Sequence, residues 1–324
     1  VSTRIEPGTD LRLDPRSYWL EQALAADPGA PCPPLQGKAR ADVCIIGGGF
    51  AGLWTAYELG EREPSLDIAL IEADVCGAGG SGANGGFLSS SWHSIVSLCR
   101  LFGEDEGVRY ARALAAQIDE VGRWCARHDA DIELHAEGAA FARAGDWEPE
   151  PDREPIELLA RHGLGDRLRV LTAAEVRAFA DSPQFRGGTF IEDVATVQPA
   201  KLARELRRVL LERGVRIYEG TPLTGLCTGI PVHVHTPSGR IECDQAVVAT
   251  GAWAASAPPF RRAFAVAVDS VVITEPVPEI LAEIGWVSSI GFGDDREAFY
   301  YLRRTHDGRV AIGGGSLGIA YGGR

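Results

Sequence analysis

The sequence predicts an α/β fold: a parallel sheet flanked by helices, with an α+β domain interleaved into it. Three observations carry that expectation. Ala41 to Gly86 runs in the order strand, glycine turn, helix, second strand, glycine-rich segment. A long helical pattern from Val197 to Leu211 is followed by short apolar runs that end at Ala249-Thr250-Gly251. The stretches between and after these blocks read as helices and short antiparallel strands.

Residues 1–39 are rich in Pro, Asp and Gly around one aromatic pair, Tyr18-Trp19. They read as an extended arm lying on the body, anchored by Ser17-Tyr18-Trp19-Leu20. Val43-Cys44-Ile45-Ile46 is an apolar run of the kind found in a strand buried on both faces. Gly47-Gly48-Gly49-Phe50-Ala51-Gly52 follows at once and matches G-x-G-x-x-G at Gly47, Gly49 and Gly52. Leu53, Ala56, Tyr57 and Leu59 then recur at helix spacing until Pro64 stops the pattern. Ile68-Ala69-Leu70-Ile71 is the second strand, and it ends in Glu72 and Ala73.

This arrangement is what a dinucleotide needs. Gly47 permits a tight turn off the strand, Gly49 lets a pyrophosphate approach the backbone, and Gly52 lets the helix pack close to the sheet. The first N–H groups of the helix lack partners and sit at the positive end of its dipole. Glu72 can accept hydrogen bonds from ribose hydroxyls and would repel a 2′-phosphate. A lone G-x-G-x-x-G is weak, but here the strand, helix, second strand and acid fall in order. Ile46, Gly48, Ala51 and Ala73 flank these positions and belong to the candidate site.

Gly77 to Gly86, GAGGSGANGG, sharpens the reading. Ser81-Gly82-Ala83-Asn84-Gly85-Gly86 resembles the S-G-x-N-G-G signature of the D-amino-acid oxidase-like flavoprotein superfamily, in its glycine oxidase and gamma-glutamylputrescine oxidase branch. The resemblance implies FAD as cofactor and an FAD-binding Rossmann-like domain of the glutathione-reductase type. It implies cofactor contacts at Gly79, Ser81, Asn84, Gly85 and Gly86. The branch often carries Arg where this chain has Ala83. Without the resemblance, the segment reads as a flexible glycine loop.

The chain continues with Phe87 to Leu101, which carries Ser89-Ser90-Ser91-Trp92-His93; His93 is a catalytic candidate, or else an ordinary satisfied histidine. Asp105 to Ala130 is helical, with one apolar stripe through Val108, Ala111, Ile118 and Cys125. Ile132-Glu133-Leu134 and Ala139 to Ala142 read as strands, Glu148 to Asp152 as a loop and Pro155 to His162 as a helix. Thr172-Ala173-Ala174-Glu175 is a capping-box helix start. Val197 begins the long helix, which ends near Gly214. Val215 to Tyr218 and Thr221 to Leu226 are strands, and His233 to Ile241 is a hairpin. Gln245 to Ala249 is a buried strand ending in Thr250-Gly251-Ala252-Trp253. The resemblance places Leu223, Thr250, Gly251 and Trp253 against the cofactor.

Ser270 to Ile273, Phe299 to Arg303 and Arg309 to Ile312 read as antiparallel strands, the last two joined by an Asp307-Gly308 turn. Tyr300 to Arg309 resembles the Y-x-x-R-x-x-D-G-R hairpin of the same branch. Alternation puts Tyr301 and Arg303 on one face, making them candidate substrate contacts. Arg303 could clamp a carboxylate, or Arg303 and Arg304 could pair with Asp294, Asp295 or Glu297. The expected domains are an arm (1–39), an FAD domain (40–97 and 194–262) and a substrate domain (98–193 and 263–324). The resemblance runs from about residue 17 onward, and family members extend past the position of Arg324, so the sequence is expected to be part of a longer chain.

The function implied by the resemblance is oxidation of the C–N bond of a small amine or amino acid. Hydride passes to flavin N5, and the resulting imine hydrolyses. Oxygen is the expected acceptor; the alternatives are a dehydrogenase using another acceptor and a non-catalytic FAD-binding subunit. Some relatives use a lysine for oxygen activation, but only Lys38 and Lys201 occur here and neither is placed for it. Composition narrows the rest. A net charge of −13 argues against a nucleic-acid partner. Seven cysteines form no CxxC pair, and seven histidines form no HExxH motif, so no metal is expected. With no apolar run of membrane length and no basic-then-apolar leader, the expected location is the cytoplasm.

Overall fold

The structure, a computed structural model, describes residues 4–5, 16–144, 153–257, 260–294, 299–315 and 318–320. The loop expected at Glu148 to Asp152 lies outside them. The chain divides into two compact units. The first comprises Val1–Asn84, Pro199–Val268 and Gly318–Arg324, and the second Gly85–Gln198 and Asp269–Leu317.

The first unit is built on a seven-stranded sheet. Its order is Arg4–Ile5, Gly225–Cys227, Val232–His235, Gly239–Val248, Gly37–Ile46, Ile68–Ile71, Arg216–Tyr218. The last four run parallel, with Ile45 opposite Val247 on one side and Leu70 on the other. Burial on both faces explains their near-continuous apolar runs: Cys44, Ile45, Leu70 and Ala69 are fully buried. Helices Phe50–Arg62 and Pro199–Glu212 pack against each other. The second buries Leu202, Ala203, Leu206, Val209 and Leu210, a stripe at helical spacing.

Two expectations in this unit change. The arm is not extended over its whole length: Tyr18–Ala26 is a helix packed on Pro199–Glu212. Ser17 caps it by accepting from the Leu20 N–H, and Trp19, Leu20 and Ala23 form its buried face. The strand expected at Thr221 to Leu226 is confined to Gly225–Cys227. The Thr221 N–H and hydroxyl are taken up by the Glu72 and Glu219 carbonyls, and Pro222 has no N–H to give a ladder.

The second unit carries another seven-stranded sheet, ordered Val271–Ile273, Val310–Gly314, Tyr300–Arg304, Gly291–Asp294, Ala139–Ala144, Phe185–Ile191, Leu168–Thr172. Only the pairing of Gly291–Asp294 with Ala139–Ala144 is parallel. Helices Ile95–Phe102, Glu104–His128 and Arg153–Arg161 belong to the same unit, and Trp92, Ile95, Val108, Ala111 and Leu159 form part of its core. The capping box at Thr172 and Glu175 is present with both reciprocal bonds. The Asp307-Gly308 turn joins Tyr300–Arg304 to Val310–Gly314, with Gly308 at φ 78. Ile132 to Leu134 is not a strand. Glu133 sits at φ 52, and the Ile132 carbonyl accepts from Gln198 instead of a ladder partner. Among the described residues no helix is long and apolar enough to cross a membrane.

Candidate cofactor site

The site grows out of the end of Gly37–Ile46. There the chain must turn sharply into the helix Phe50–Arg62, and Gly47 does so at φ 115, a conformation a side chain would strain. Gly49 is the helix N-cap, and a Cβ there would lie 2.9 Å from Ser81 Oγ. Around this turn opens a cavity of about 380 Å³. Its walls come from four stretches of the first unit. The turn supplies Ile46, Gly47, Gly49 and Ala51; the end of Ile68–Ile71 supplies Glu72 and Ala73. The glycine segment supplies Gly79 and Ser81, and the late block supplies Leu223, Thr250, Gly251 and Trp253. Twelve expected positions, far apart in sequence, thus wall one cavity.

The polar groups are arranged for a ligand rich in acceptors at one end and hydroxyls at the other. Ser81 Oγ accepts from the Phe50 N–H at 2.8 Å, so the hydroxyl stands at the first turn of the helix. The Glu72 carboxylate accepts from the N–H groups of Gly48 at 2.7 Å and Asp74 at 3.0 Å. Burial raises its pKa, and those two bonds partly offset the rise. Trp253 lies against Gly79, where a Cβ would come within 3.1 Å of the ring.

Five expected cofactor residues stand elsewhere. Gly48 and Gly52 are buried beneath the turn and do not wall the cavity; a Cβ on Gly48 would meet Cys76 Sγ at 2.7 Å. Asn84 does not reach the cavity either. Its amide donates to the carbonyls of Gly80 at 3.0 Å and Ser81 at 2.9 Å, holding the turn that presents Ser81. Gly85 and Gly86 belong to the second unit. Sequence reasoning missed Asp74, Thr221 and Phe260, which also wall the cavity. Their only signal was adjacency to residues already chosen, and for Phe260 there was none.

The three catalytic candidates all lie in the second unit. Tyr301 is half-buried, and its hydroxyl donates to Asp269 Oδ2 at 3.1 Å. Burial first, then the Asp269 charge, pushes its pKa up to about 12. Its ring crosses Gly85, where a Cβ would come within 2.5 Å, and meets Phe87 edge-on. Arg303 is 2% exposed, and its guanidinium donates to the carbonyls of Gly86 and Val197. Both of these bonds run to backbone carbonyls, and Asp294 accepts from the Tyr300 N–H. Arg304 donates to the carbonyls of Trp286 and Val287. Asp295 and Glu297 lie outside the described residues. His93 is exposed on the short turn Trp92–Ser94. Among the described residues no group of three or more His, Cys, Asp or Glu can hold a metal ion.

A positive-φ turn, a cradle that a Cβ on Gly49 would fill, a helix N-terminus and an acid at the next strand's end together fit a dinucleotide. The sequence model of the family DAO, FAD dependent oxidoreductase, matches residues 42–322. The chain belongs to this family. The dinucleotide is therefore FAD, and the fold is that of a DAO-family flavoenzyme. The gamma-glutamylputrescine oxidoreductase of Escherichia coli (strain K12) is 27% identical over 314 residues, 95% of this flavoprotein and 71% of that one. The glycine oxidase of Geobacillus kaustophilus (strain HTA426) is 28% identical over 222 residues, 67% of this chain and 56% of that protein. Among solved structures, the Geobacillus kaustophilus glycine oxidase superposes with a TM-score of 0.61 at 22% identity, covering 87% of this chain and 72% of that one. The L-amino acid deaminase of Proteus vulgaris superposes with a TM-score of 0.67 at 19% identity, covering 90% and 64%. These superpositions speak for the fold.

Proposed function

We propose that this flavoenzyme oxidises the C–N bond of a small amine or amino acid, giving an imine that hydrolyses, with oxygen as the acceptor. The observation that carries the reading is the family match over residues 42–322, joined to relatives named for amine and amino-acid chemistry. The glycine oxidases among those relatives favour oxygen.

FAD, when bound, supplies the two-electron acceptor. The chain's own residues bind and orient it. The first-turn N–H groups of Phe50–Arg62 and the Ser81 hydroxyl hold the pyrophosphate, and Glu72 takes the ribose hydroxyls. Leu223 and Trp253 supply apolar surface to the cavity. In the second unit Tyr301 is the proposed substrate contact. Its raised pKa keeps the phenol protonated across the physiological range, and with its one O–H given to Asp269 its oxygen is left to accept from a substrate N–H. Arg303 is proposed to support the strand that carries Tyr301, through its bonds to Gly86 and Val197.

The test is turnover of an amine and amino-acid panel by the FAD-loaded chain, with oxygen consumption and reduction of an artificial dye measured in parallel. Oxygen consumption with release of ammonia or amine is the expected result. Dye reduction without oxygen consumption replaces the oxidase by a dehydrogenase. No turnover with either acceptor leaves the FAD-binding subunit reading and ends this one.

A further inference from the structure

Behind the cavity wall lies a buried ionic cluster that no step above uses. Arg204 and Arg207 stand three residues apart on Pro199–Glu212, and so on one face of that helix. Both reach Glu219, just past the strand Arg216–Tyr218; the side chains of Arg204, Arg207 and Glu219 are 10%, 3% and 10% exposed. Glu219 Oε1 accepts from Arg204 Nη1 at 3.0 Å and Arg207 Nε at 2.9 Å, and Oε2 accepts from Arg207 Nη2 at 3.0 Å.

Such clusters cost desolvation, and well-packed apolar residues of the same volume often serve stability as well or better. What apolar residues cannot do is satisfy buried backbone groups. This cluster bonds three backbone groups in two segments, and the Cys76 N–H among them is fully buried. Glu219 Oε1 also accepts the Cys76 N–H at 2.7 Å. Arg204 Nη2 donates to the Pro28 carbonyl at 2.6 Å, and Arg207 Nη2 donates to the Ala30 carbonyl. The same stretch of arm is held again where the Glu219 N–H donates to the Cys32 carbonyl and the Leu35 N–H to Thr221 Oγ1.

Cys76 is the point where this matters for the cofactor. The next residue, Gly77, donates its N–H to the Gly48 carbonyl in the glycine turn at 2.9 Å, and the residues after it, Ala78, Gly79 and Ser81, wall the cavity. One carboxylate therefore sets the turn that shapes the wall, and two guanidinium groups tie that carboxylate to the N-terminal segment.

We propose that Glu219, Arg204 and Arg207 are positioning residues for FAD: they couple the N-terminal segment 28–35 to the cavity wall, so that cofactor retention depends on groups that do not wall the cavity. The proposal rests on the FAD reading. Coupling of this kind is reciprocal, so FAD in turn tightens the arm.

The experiment uses the full chain stripped of flavin. FAD is titrated into wild type, Arg204→Met and Glu219→Gln by flavin fluorescence, with hydrogen exchange of residues 28–35 followed with and without FAD. Arg204→Met keeps an unbranched apolar stem and leaves Arg207 on Glu219, so the fold is expected to persist. Loss of its charged hydrogen bonds should weaken FAD binding by about tenfold, with an unchanged apo circular dichroism spectrum. Glu219→Gln should weaken it further. In wild type FAD should slow exchange at residues 28–35, and in Arg204→Met that protection should vanish. A merely structural role predicts a lower apo melting temperature with FAD affinity and arm protection intact; that pattern in Arg204→Met overturns the proposal, whether or not Glu219→Gln folds. A wild-type chain that takes up no FAD overturns the cofactor reading itself, which the variant comparison does not touch.

Discussion

Glu72 shows how one residue can be both a liability and a grip. Its carboxyl is pushed above the ordinary glutamate value, by burial first, then with smaller contributions from the Asp74 and Glu219 charges. With the value raised in the fold, Glu72's contribution to stability is present at low pH and lost as pH rises through that raised value. For the cofactor the sign is opposite, because the ionised carboxylate is the better acceptor for ribose hydroxyls. FAD affinity should therefore fall as pH is lowered through the raised Glu72 value, and Glu72→Gln should flatten that profile in fluorescence titrations. Glu72→Ala should weaken FAD by about 1.5–3 kcal/mol without abolishing binding. Gly49→Val is harsher, since its Cβ alone would crowd Ser81 Oγ at 2.9 Å in the cavity wall. The variant should purify without the visible absorbance of flavin. Glu72 and Gly49 were legible in the order strand, glycine turn, helix, strand, and Ser81 only through the resemblance of its glycine segment. Arg303 was not. Its carbonyl partners lie 217 and 106 residues away, and alternation gave its face but not what that face meets.

The helix Tyr18–Ala26 is the element that composition concealed. The Pro, Asp and Gly around it outweighed a short signal that was present, Ser17 ahead of Trp19, Leu20 and Ala23. Ser17 works at both ends: it caps the helix and donates its hydroxyl to the Gly82 carbonyl, in the turn after Ser81. Ser17→Ala should cost about 0.5–2 kcal/mol, read as a lower melting temperature with faster hydrogen exchange across 18–26. The strand Tyr300–Arg304 behaves differently. Arg303→Ala there should lower stability and leave the ranking of substrates unchanged, because the lost bonds run to backbone carbonyls. A sharp rise in KM on a carboxylated substrate would restore the clamp. Elements with self-contained chemistry, the capping box at Thr172 and the Asp307-Gly308 turn, could be read directly. Ile132 to Leu134 looked like a strand because apolar and polar residues alternate there; the bond of Ile132 to Gln198 is set by distant chain.

At the scale of the molecule, the described residues that wall the cavity all belong to the first unit. ADP, which carries the adenosine and pyrophosphate without the flavin ring, should therefore protect residues 46–53, 71–81 and 248–257 from hydrogen exchange. It should leave 85–198 and 269–317 as they were; protection spread over both units would contradict this. The discontinuous layout was an expectation drawn from two apolar strands that each end in a glycine turn. The partners of each strand were not legible, since pairing order leaves no mark on a single sequence. That order has a consequence for how the protein is made. The strand Gly37–Ile46, which ends at the glycine turn, pairs in register with Gly239–Val248, about 200 residues later. At ordinary translation speeds, roughly 10–40 s pass between the synthesis of the two. Throughout that interval the growing chain carries an open apolar strand edge beside half a flavin site, a period in which a chaperone has something to hold and FAD does not.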